Sequence, residues 1–217
     1  IAVYFYGGGN YIDKSATGYS FSKNFFSDLG RSVSFSGESN LVSFILFNSC
    51  IILSGFAFIL FFFEFYLLFR RNVINRYLAM FGTLFGVLGG ACLMGVGLFP
   101  IDLYHESHKL SAIWTFRFFF PCTLLYGIAL FRSPRFVNLM AYGYLTWSFL
   151  VLSYVLVSEI GSVTPSYQTV DALIFQIVAQ KLIVFTFILN IFYQTFHISS
   201  FFKKRIAKKQ AIRQKIN

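Results

Sequence analysis

The chain has 217 residues, of which 57% are hydrophobic and 12% are charged, and its formal net charge is +10. An ordinary soluble domain carries about 25% charged residues. These values exclude a soluble globular domain and indicate an integral membrane protein. Cys50, Cys92 and Cys122 all lie in apolar stretches without metal-type spacing, which supports neither a disulfide framework nor a zinc site.

Five apolar stretches are long enough to cross a hydrocarbon core about 30 Å thick. The predicted spans are residues 41–63, 77–101, 110–131, 136–157 and 172–196. The second span carries Gly82, Gly86 and Gly90 along one face, a pattern that permits close helix contact. Packing within the bundle is the favoured interpretation of these glycines, and a hinge or a dimer seam is the alternative.

The opening sequence IAVYFYGGG resembles the outer end of a first helix whose remainder is absent. The expected fold class is therefore all-α, a polytopic transmembrane helix bundle with five full spans and the stump of a first helix, six spans in the full protein. The alternative is a processed N-terminus at the membrane interface. We expect residues 1–202 to form the bundle and residues 203–217 to form a basic cytoplasmic tail.

The basic residues predict the orientation of the chain, because Lys and Arg are enriched in short cytoplasmic loops. The basic residues on one side are Arg70, Arg71, Arg76, Arg132, Arg135, Lys203, Lys204, Arg205, Lys208, Lys209, Arg213 and Lys215. No acidic residue accompanies them in those segments, whereas the loops on the other side are mixed in charge. The C-terminus is therefore predicted to be cytoplasmic, in a plasma (inner) membrane, and the positive charge indicates contact with anionic lipid rather than with nucleic acid.

Three residues in the outer segments are the candidates for catalysis: Asp28, Asp102 and His108. Asp102, His105 and His108 are spaced three apart, so a helical loop would bring a carboxylate and two imidazoles onto adjacent faces, suitable for metal binding or acid–base chemistry. A structural role at the interface is the favoured interpretation, because polar residues also end helices at the headgroup level. No metal and no cofactor is expected.

Charges inside the spans are informative, because a charge at the bilayer centre costs roughly 2.5–3.5 kcal/mol on insertion scales. Lys181 lies ten residues into the last predicted span, and Arg117 lies near the start of the third. Together with Gln180, these residues are predicted to bind a ligand below the outer mouth, and Ser27 and His105 are predicted to contact the ligand at the mouth itself. Snorkelling to the headgroups is the alternative for Arg117.

Three segments carry a resemblance to a known family: NFFSDLG at 24–30, LFNSCIILSG at 46–55 and GLFPIDLYHESHKLSAIWTFRFF at 97–119. They resemble the six-span family catalogued as domain of unknown function 998, and more distantly the Frag/DRAM/Sfk group. The resemblance implies a six-helix fold and polar residues at the outer mouth, on which Ser27, Asp28, Asp102 and His108 match the pattern. It implies no reaction.

The leading hypothesis is a bundle that binds or processes a lipid or similar amphiphile at an outward-facing polar mouth. The competing hypothesis is a non-enzymatic accessory subunit whose helices pack against a larger membrane complex. A transporter is the third, supported only by Lys181. Membrane lipids, and other membrane protein subunits under the second hypothesis, are the expected partners.

Overall fold

A computed structural model of the protein describes residues 1–163 and 169–216. It is 76% helical, and the described residues contain no strand. Five helices are long and apolar enough to cross a membrane. Their bounds are α1 Leu41–Tyr66, continued by a 3-10 turn Leu67–Phe69; α2 Val73–Leu98; α3 His105–Phe131; α4 Asn138–Val163; and α5 Val170–Ile216. The predicted membrane-spanning helical bundle is confirmed.

All five helices extend past the apolar stretches that predicted them, at one end or at both, and α3 and α5 show why. Helix α3 begins at His105 rather than at residue 110, with Glu106 in its first turn, where a carboxylate interacts favourably with the helix dipole. Helix α5 continues through the basic segment to Ile216. Lys, Arg, Gln and Ala, which dominate that segment, are all good helix formers. The apolar stretch of a sequence marks only the part of a helix that matches the hydrocarbon core, whereas the helix continues for as long as its backbone forms helical hydrogen bonds.

The helices pack in chain order, each against the next, and α1 and α5 have almost no direct contact in the described part of the chain. One contact across the gap joins the rings of Phe58 and Phe187, whose centroids are 5.1 Å apart. Helices α1 and α5 are accordingly the least buried of the five. The buried share of their most apolar segments is 11% and 17%, against 33–44% for α2, α3 and α4.

The glycines of α2 allow its neighbours to approach its backbone closely. A Cβ atom at Gly86 would lie 2.4 Å from the ring of Phe62, and one at Gly90 would lie 2.8 Å from the carbonyl oxygen of Gly55. Both neighbours belong to α1, so the glycine face is used within the bundle, as the favoured interpretation predicted.

Residues 1–40 fold over one end of the bundle, and we call this segment the cap and that end the capped end. The cap is mostly irregular chain with two short 3-10 helices, Ala2–Phe5 and Phe26–Gly30. The stretch predicted as the stump of a helix thus begins with a four-residue 3-10 helix. The opposite end, which carries the arginine-containing loops and the basic part of α5, is called the basic end.

Candidate functional site

Polar side chains at the start of α1 hold the cap in place. The side chain of Asn40 and the hydroxyl of Ser43 donate hydrogen bonds to the carbonyl oxygen of Leu29, at 3.3 and 2.9 Å. One turn deeper, Asn48 Nδ2 donates to the carbonyl oxygen of Gly30 at 3.0 Å. All three side chains are buried. Their hydrogen bonds fix the end of the NFFSDLG segment to the membrane-facing part of the bundle.

Asn24 is the centre of the cap, and it connects three separate stretches of chain. Its Nδ2 donates to the carbonyl oxygen of Gly9 at 3.0 Å and to Oδ2 of Asp28 at 3.3 Å, and its Oδ1 accepts from the backbone N–H of Ser20. Oδ2 of Asp28 also accepts from the backbone N–H of Phe25 at 2.8 Å. Asp28 therefore closes the turn that contains it, and its other oxygen, Oδ1, is buried without a partner among the described residues.

Burial raises the pKa of Asp28 to about 6, and hydrogen bonds from Asn24 and Phe25 and the charges of Arg31 and Lys181 oppose the shift only in part. A carboxyl whose pKa is higher in the folded protein stabilises the fold most below its ordinary pKa of 3.8, and loses that contribution as the pH rises through 6. This rise in the pKa corresponds to a change of about 3 kcal/mol in the free energy of unfolding between low and neutral pH.

We expect Asp28→Asn to remove this pH dependence, because the amide keeps an acceptor oxygen for Phe25 and cannot ionise. The difference in melting temperature between the variant and the natural protein should grow in favour of the variant from pH 4 to pH 7. Glu38→Gln, which changes an exposed carboxyl of the cap, is the control. A difference that stays constant across this pH range would contradict the prediction.

Lys181 of α5 is 2% exposed and points its ammonium group into the cap. Nζ donates hydrogen bonds to the carbonyl oxygens of Phe21 and Asn24. It also lies over the rings of Tyr19, Phe21 and Phe26, at 4.9, 4.7 and 5.6 Å from their centroids. Carbonyl dipoles and aromatic faces are good substitutes for water around a cation. Lys181 is thus solvated by the cap, and it joins the cap to α5.

Asp102, in the connection between α2 and α3, makes the third attachment of the cap. Its Oδ2 accepts hydrogen bonds from the backbone N–H and the hydroxyl of Ser32, at 2.9 and 2.6 Å, and from the backbone N–H of Val33 at 3.1 Å. Three donors on one carboxylate oxygen make a strong, charge-assisted anchor.

The two histidines of the predicted cluster have separate environments. His108 is buried and its Nδ1 lies 2.7 Å from the carbonyl oxygen of Phe99, whereas His105 is exposed. Within residues 1–163 and 169–216, no group of three or more His, Cys, Asp or Glu side chains is placed to hold a metal ion.

The other predicted ligand-binding residues are also dispersed. Arg117 forms an ion pair with Glu159 of α4 and lies over the ring of Trp114, 5.1 Å from its centroid. Ser27 is buried in the cap, and Gln180, beside Lys181, has a buried Oε1 without a partner in the described part of the chain. Arg117 thus pairs with α4, and no hydrogen bond or ion pair among the described residues joins it to Lys181.

Of the predicted site residues, the structure brings Asp28 and Lys181 together through a shared neighbour. The side chain of Asn24 binds Asp28 and its carbonyl oxygen binds Lys181. Among the described residues, no hydrogen bond or ion pair joins Asp102, His108 or Arg117 to that pair. The catalytic role predicted for Asp28, Asp102 and His108 stays a prediction.

A separate cavity of about 280 Å³ lies inside the bundle, where α1 and α5 fail to meet, and we call it the groove. It is lined by Ser54, Ala57, Phe58, Phe61, Phe62, Phe119, Thr123, Tyr144, Phe187, Asn190, Ile191, Gln194 and Thr195. None of these residues is charged. Ser54 and Ala57 on one side and Thr195 on the other are exposed, so the groove opens towards the bilayer.

The groove lies well away from the cap. Asn190 and Gln194 are 9 and 13 residues beyond Lys181 on α5, about 14 and 20 Å along the helix axis. This site was not predicted from the sequence. Two amides one helical turn apart in an otherwise apolar span were the available signal, because an amide in hydrocarbon needs hydrogen-bond partners.

A family model described as "Protein of unknown function (DUF998)" matches residues 3–189 of the chain. This is the family that the three segments of the sequence resemble; the more distant likeness to the Frag/DRAM/Sfk group stays a prediction. No curated protein and no solved structure matches the chain.

Proposed function

Since the chain belongs to the DUF998 family, whose description gives no activity, we propose a function from the geometry: this multi-pass membrane protein binds an amphiphile in the groove between α1 and α5. The observation that carries the proposal is a phenyl-walled cavity that opens towards the bilayer and contains amide and hydroxyl groups. Ligand sites are typically concave and mostly apolar, with a few polar groups that orient the ligand.

A binding site at the capped end, the hypothesis from the sequence, has less support. Oδ2 of Asp102 and the ammonium of Lys181 are engaged by the backbone of the cap, and Oδ2 of Asp28 is engaged inside it. Oδ1 of Asp28 and Oδ1 of Asp102 are buried without a partner among the described residues, but the cap already holds each carboxylate through its other oxygen, so a ligand would have to share or displace those contacts. With the orientation predicted from the basic loops, the groove would face the cytoplasmic half of an inner membrane.

The second candidate function is an accessory subunit whose groove receives a transmembrane helix of another polypeptide. The low burial of α1 and α5 favours it. The glycine face of α2 does not, because those glycines pack inside the bundle against α1 and α3. The polar lining of the groove also favours the smaller ligand, since an apolar helix would leave those polar groups without partners.

The test uses hexadecanol with a mid-chain diazirine as the probe, added to the purified protein in nanodiscs. We expect saturable photolabelling of Phe58, Phe61 and Phe187, competed by unlabelled hexadecanol. Ala57→Trp, which fills the groove, should lower this labelling at least fivefold. Leu53→Trp, on the exposed face of α1 one turn away, is the matched control and should leave it unchanged.

Two outcomes would contradict amphiphile binding. The first is labelling that never saturates and falls equally on exposed residues such as Phe192 and Phe196. The second is a stoichiometric protein partner, seen by native mass spectrometry of detergent extracts and lost in Ala57→Trp but kept in Leu53→Trp. The second result would establish the subunit function instead.

A further inference from the structure

The hydrogen-bonding groups of the groove determine which head group it can accept. Two of its hydroxyls already donate within their own helices: Ser54 Oγ to the carbonyl oxygen of Cys50 at 2.7 Å, and Thr123 Oγ1 to that of Phe119 at 2.9 Å. A hydroxyl has one proton to donate and two lone pairs that accept. What Ser54 and Thr123 still offer a ligand is therefore acceptor capacity.

Gln194 provides the most specific element of the groove. It is 3% exposed, and its Nε2 donates to the carbonyl oxygen of Met140 at 2.9 Å and to Oδ1 of Asn190 at 3.3 Å. Its Oε1 is buried and has no partner in the described part of the chain. Exchanging the two amide atoms would place oxygen against both of these acceptors, so the nitrogen must face them and the oxygen is the atom left over.

Gly143 of α4 leaves room for the amides of Asn190 and Gln194. A Cβ atom at Gly143 would lie 2.6 Å from Nε2 of Gln194 and 3.0 Å from Oδ1 of Asn190. The absence of a side chain at Gly143 therefore allows both amides to lie against α4. Their position is set by packing between two helices.

The uncharged lining and the volume of the groove further restrict the class of ligand that it can bind. Among the described residues, no Lys, Arg, His, Asp or Glu lines the groove, and a charged head group without a partner in a low-dielectric site is strongly unfavourable. Phosphate, carboxylate and ammonium heads are thus disfavoured. At about 280 Å³ the cavity is near the lower end of the range for ligand sites, which suits one hydrocarbon chain rather than two.

We propose that the groove selects a neutral, single-chain amphiphile whose head donates a hydrogen bond to Oε1 of Gln194, as the hydroxyl of a long-chain or isoprenoid alcohol does. This inference rests on the amphiphile-binding function proposed above and names the ligand class for that site. A hydroxyl also accepts, so it can receive a hydrogen bond from the phenol of Tyr144, which lines the same cavity. An ether or an ester carbonyl can only accept, and it leaves Gln194 unpaired.

The experiment compares competitors against the diazirine-bearing hexadecanol in the unaltered protein, at equal mole fraction in the nanodisc. We expect unlabelled hexadecanol to halve the labelling at about one tenth of the concentration that hexadecyl methyl ether requires, since one hydrogen bond to a buried partner is worth about a factor of ten. Hexadecyl sulfate, whose head group is anionic at any working pH, should compete less well than the alcohol.

Two variants locate the effect. Gln194→Met keeps the length of the side chain without the amide, and it should bring hexadecanol and its methyl ether within about twofold of each other. Gly143→Ala, which displaces the same amide from the α4 side, should shift the ratio in the same direction. Leu53→Trp should retain the tenfold ratio.

The outcomes separate the two proposals. Saturable labelling with equal competition by hexadecanol and its ether in the unaltered protein would overturn the head-group inference and leave amphiphile binding standing. A tenfold ratio that persists in both Gln194→Met and Gly143→Ala would place the selectivity elsewhere and also overturn it. An absence of saturable labelling would overturn both proposals.

Discussion

Lys181→Met should lower the melting temperature of the detergent-solubilised protein by on the order of 10 °C and expose the cap to protease. The change removes the ammonium group that binds the carbonyl oxygens of Phe21 and Asn24. A buried acceptor left without its donor costs about 1–3 kcal/mol, and two of them together cost about 3 kcal/mol. For a chain of this size each kcal/mol corresponds to about 2–4 °C.

The destabilisation caused by Lys181→Met should also be confined to the cap. Hydrogen exchange should increase in residues 19–28, which surround the ammonium group, and change little in α2 and α3. Lys203→Met, which removes an exposed lysine farther along the same helix, is the control and should have almost no effect. A Lys181→Met protein with an unchanged melting temperature and a protected cap would show that the ammonium contributes nothing to holding the cap.

The five membrane-spanning helices could be predicted from the sequence because the bilayer imposes a length and a polarity on each of them. The cap could not be predicted in the same way, since it has no periodic pattern and is held by single hydrogen bonds between distant residues. Lys181 shows the limit: its burial in an apolar span correctly indicated a need for partners, yet those partners are backbone carbonyls 157 and 160 residues away. Every residue has a backbone carbonyl, so the sequence does not indicate which of them bind Lys181.

Asn48 is a residue from which more could have been inferred. It lies in the apolar LFNSCIILSG segment of α1, where an amide must find a hydrogen-bond partner. Its partner is Gly30, at the end of NFFSDLG. A Cβ atom at Gly30 would lie 2.5 Å from Oδ1 of Asn48. Two of the three segments that carry the family resemblance are thus in contact, and their contact attaches the cap to α1.

The groove could not be predicted, because four helices contribute to it and its polar atoms differ in what they have left to offer a ligand. The amides of Asn190 and Gln194 in an apolar span indicate a need for hydrogen-bond partners, but nothing in the sequence places Ser54 of α1 in the same cavity. The gap between α1 and α5 forms the cavity. The hydrogen bonds within it determine which polar atoms are already paired and which can still orient a ligand. Secondary structure is encoded locally, whereas this site depends on residues from 54 to 195.

Asp102→Ala should lower the melting temperature by roughly 5–10 °C, because two backbone N–H groups and a hydroxyl of the cap lose their common acceptor. The net cost should be close to that of one hydrogen bond to a charged group, about 1.5–3 kcal/mol, because water that reaches the exposed Val33 replaces part of the lost bonding. Asp102→Asn should have an intermediate effect, since its carbonyl oxygen can still accept from Ser32 and Val33. Glu38→Ala, a change of an exposed carboxylate in the cap, is the control.

The same variants separate a structural Asp102 from a functional one. If Asp102 acts only as an anchor, hydrogen exchange should rise at residues 32 and 33, and photolabelling of the groove by hexadecanol should keep its half-saturation concentration. Asp102→Ala and Asp102→Asn should then rank in the order of the hydrogen bonds that each retains. Loss of groove labelling in Asp102→Asn with an unchanged melting temperature would contradict the anchor role. It would mean that Asp102 takes part in binding the ligand, a role that the hypothesis of an outward-facing mouth gives to this residue.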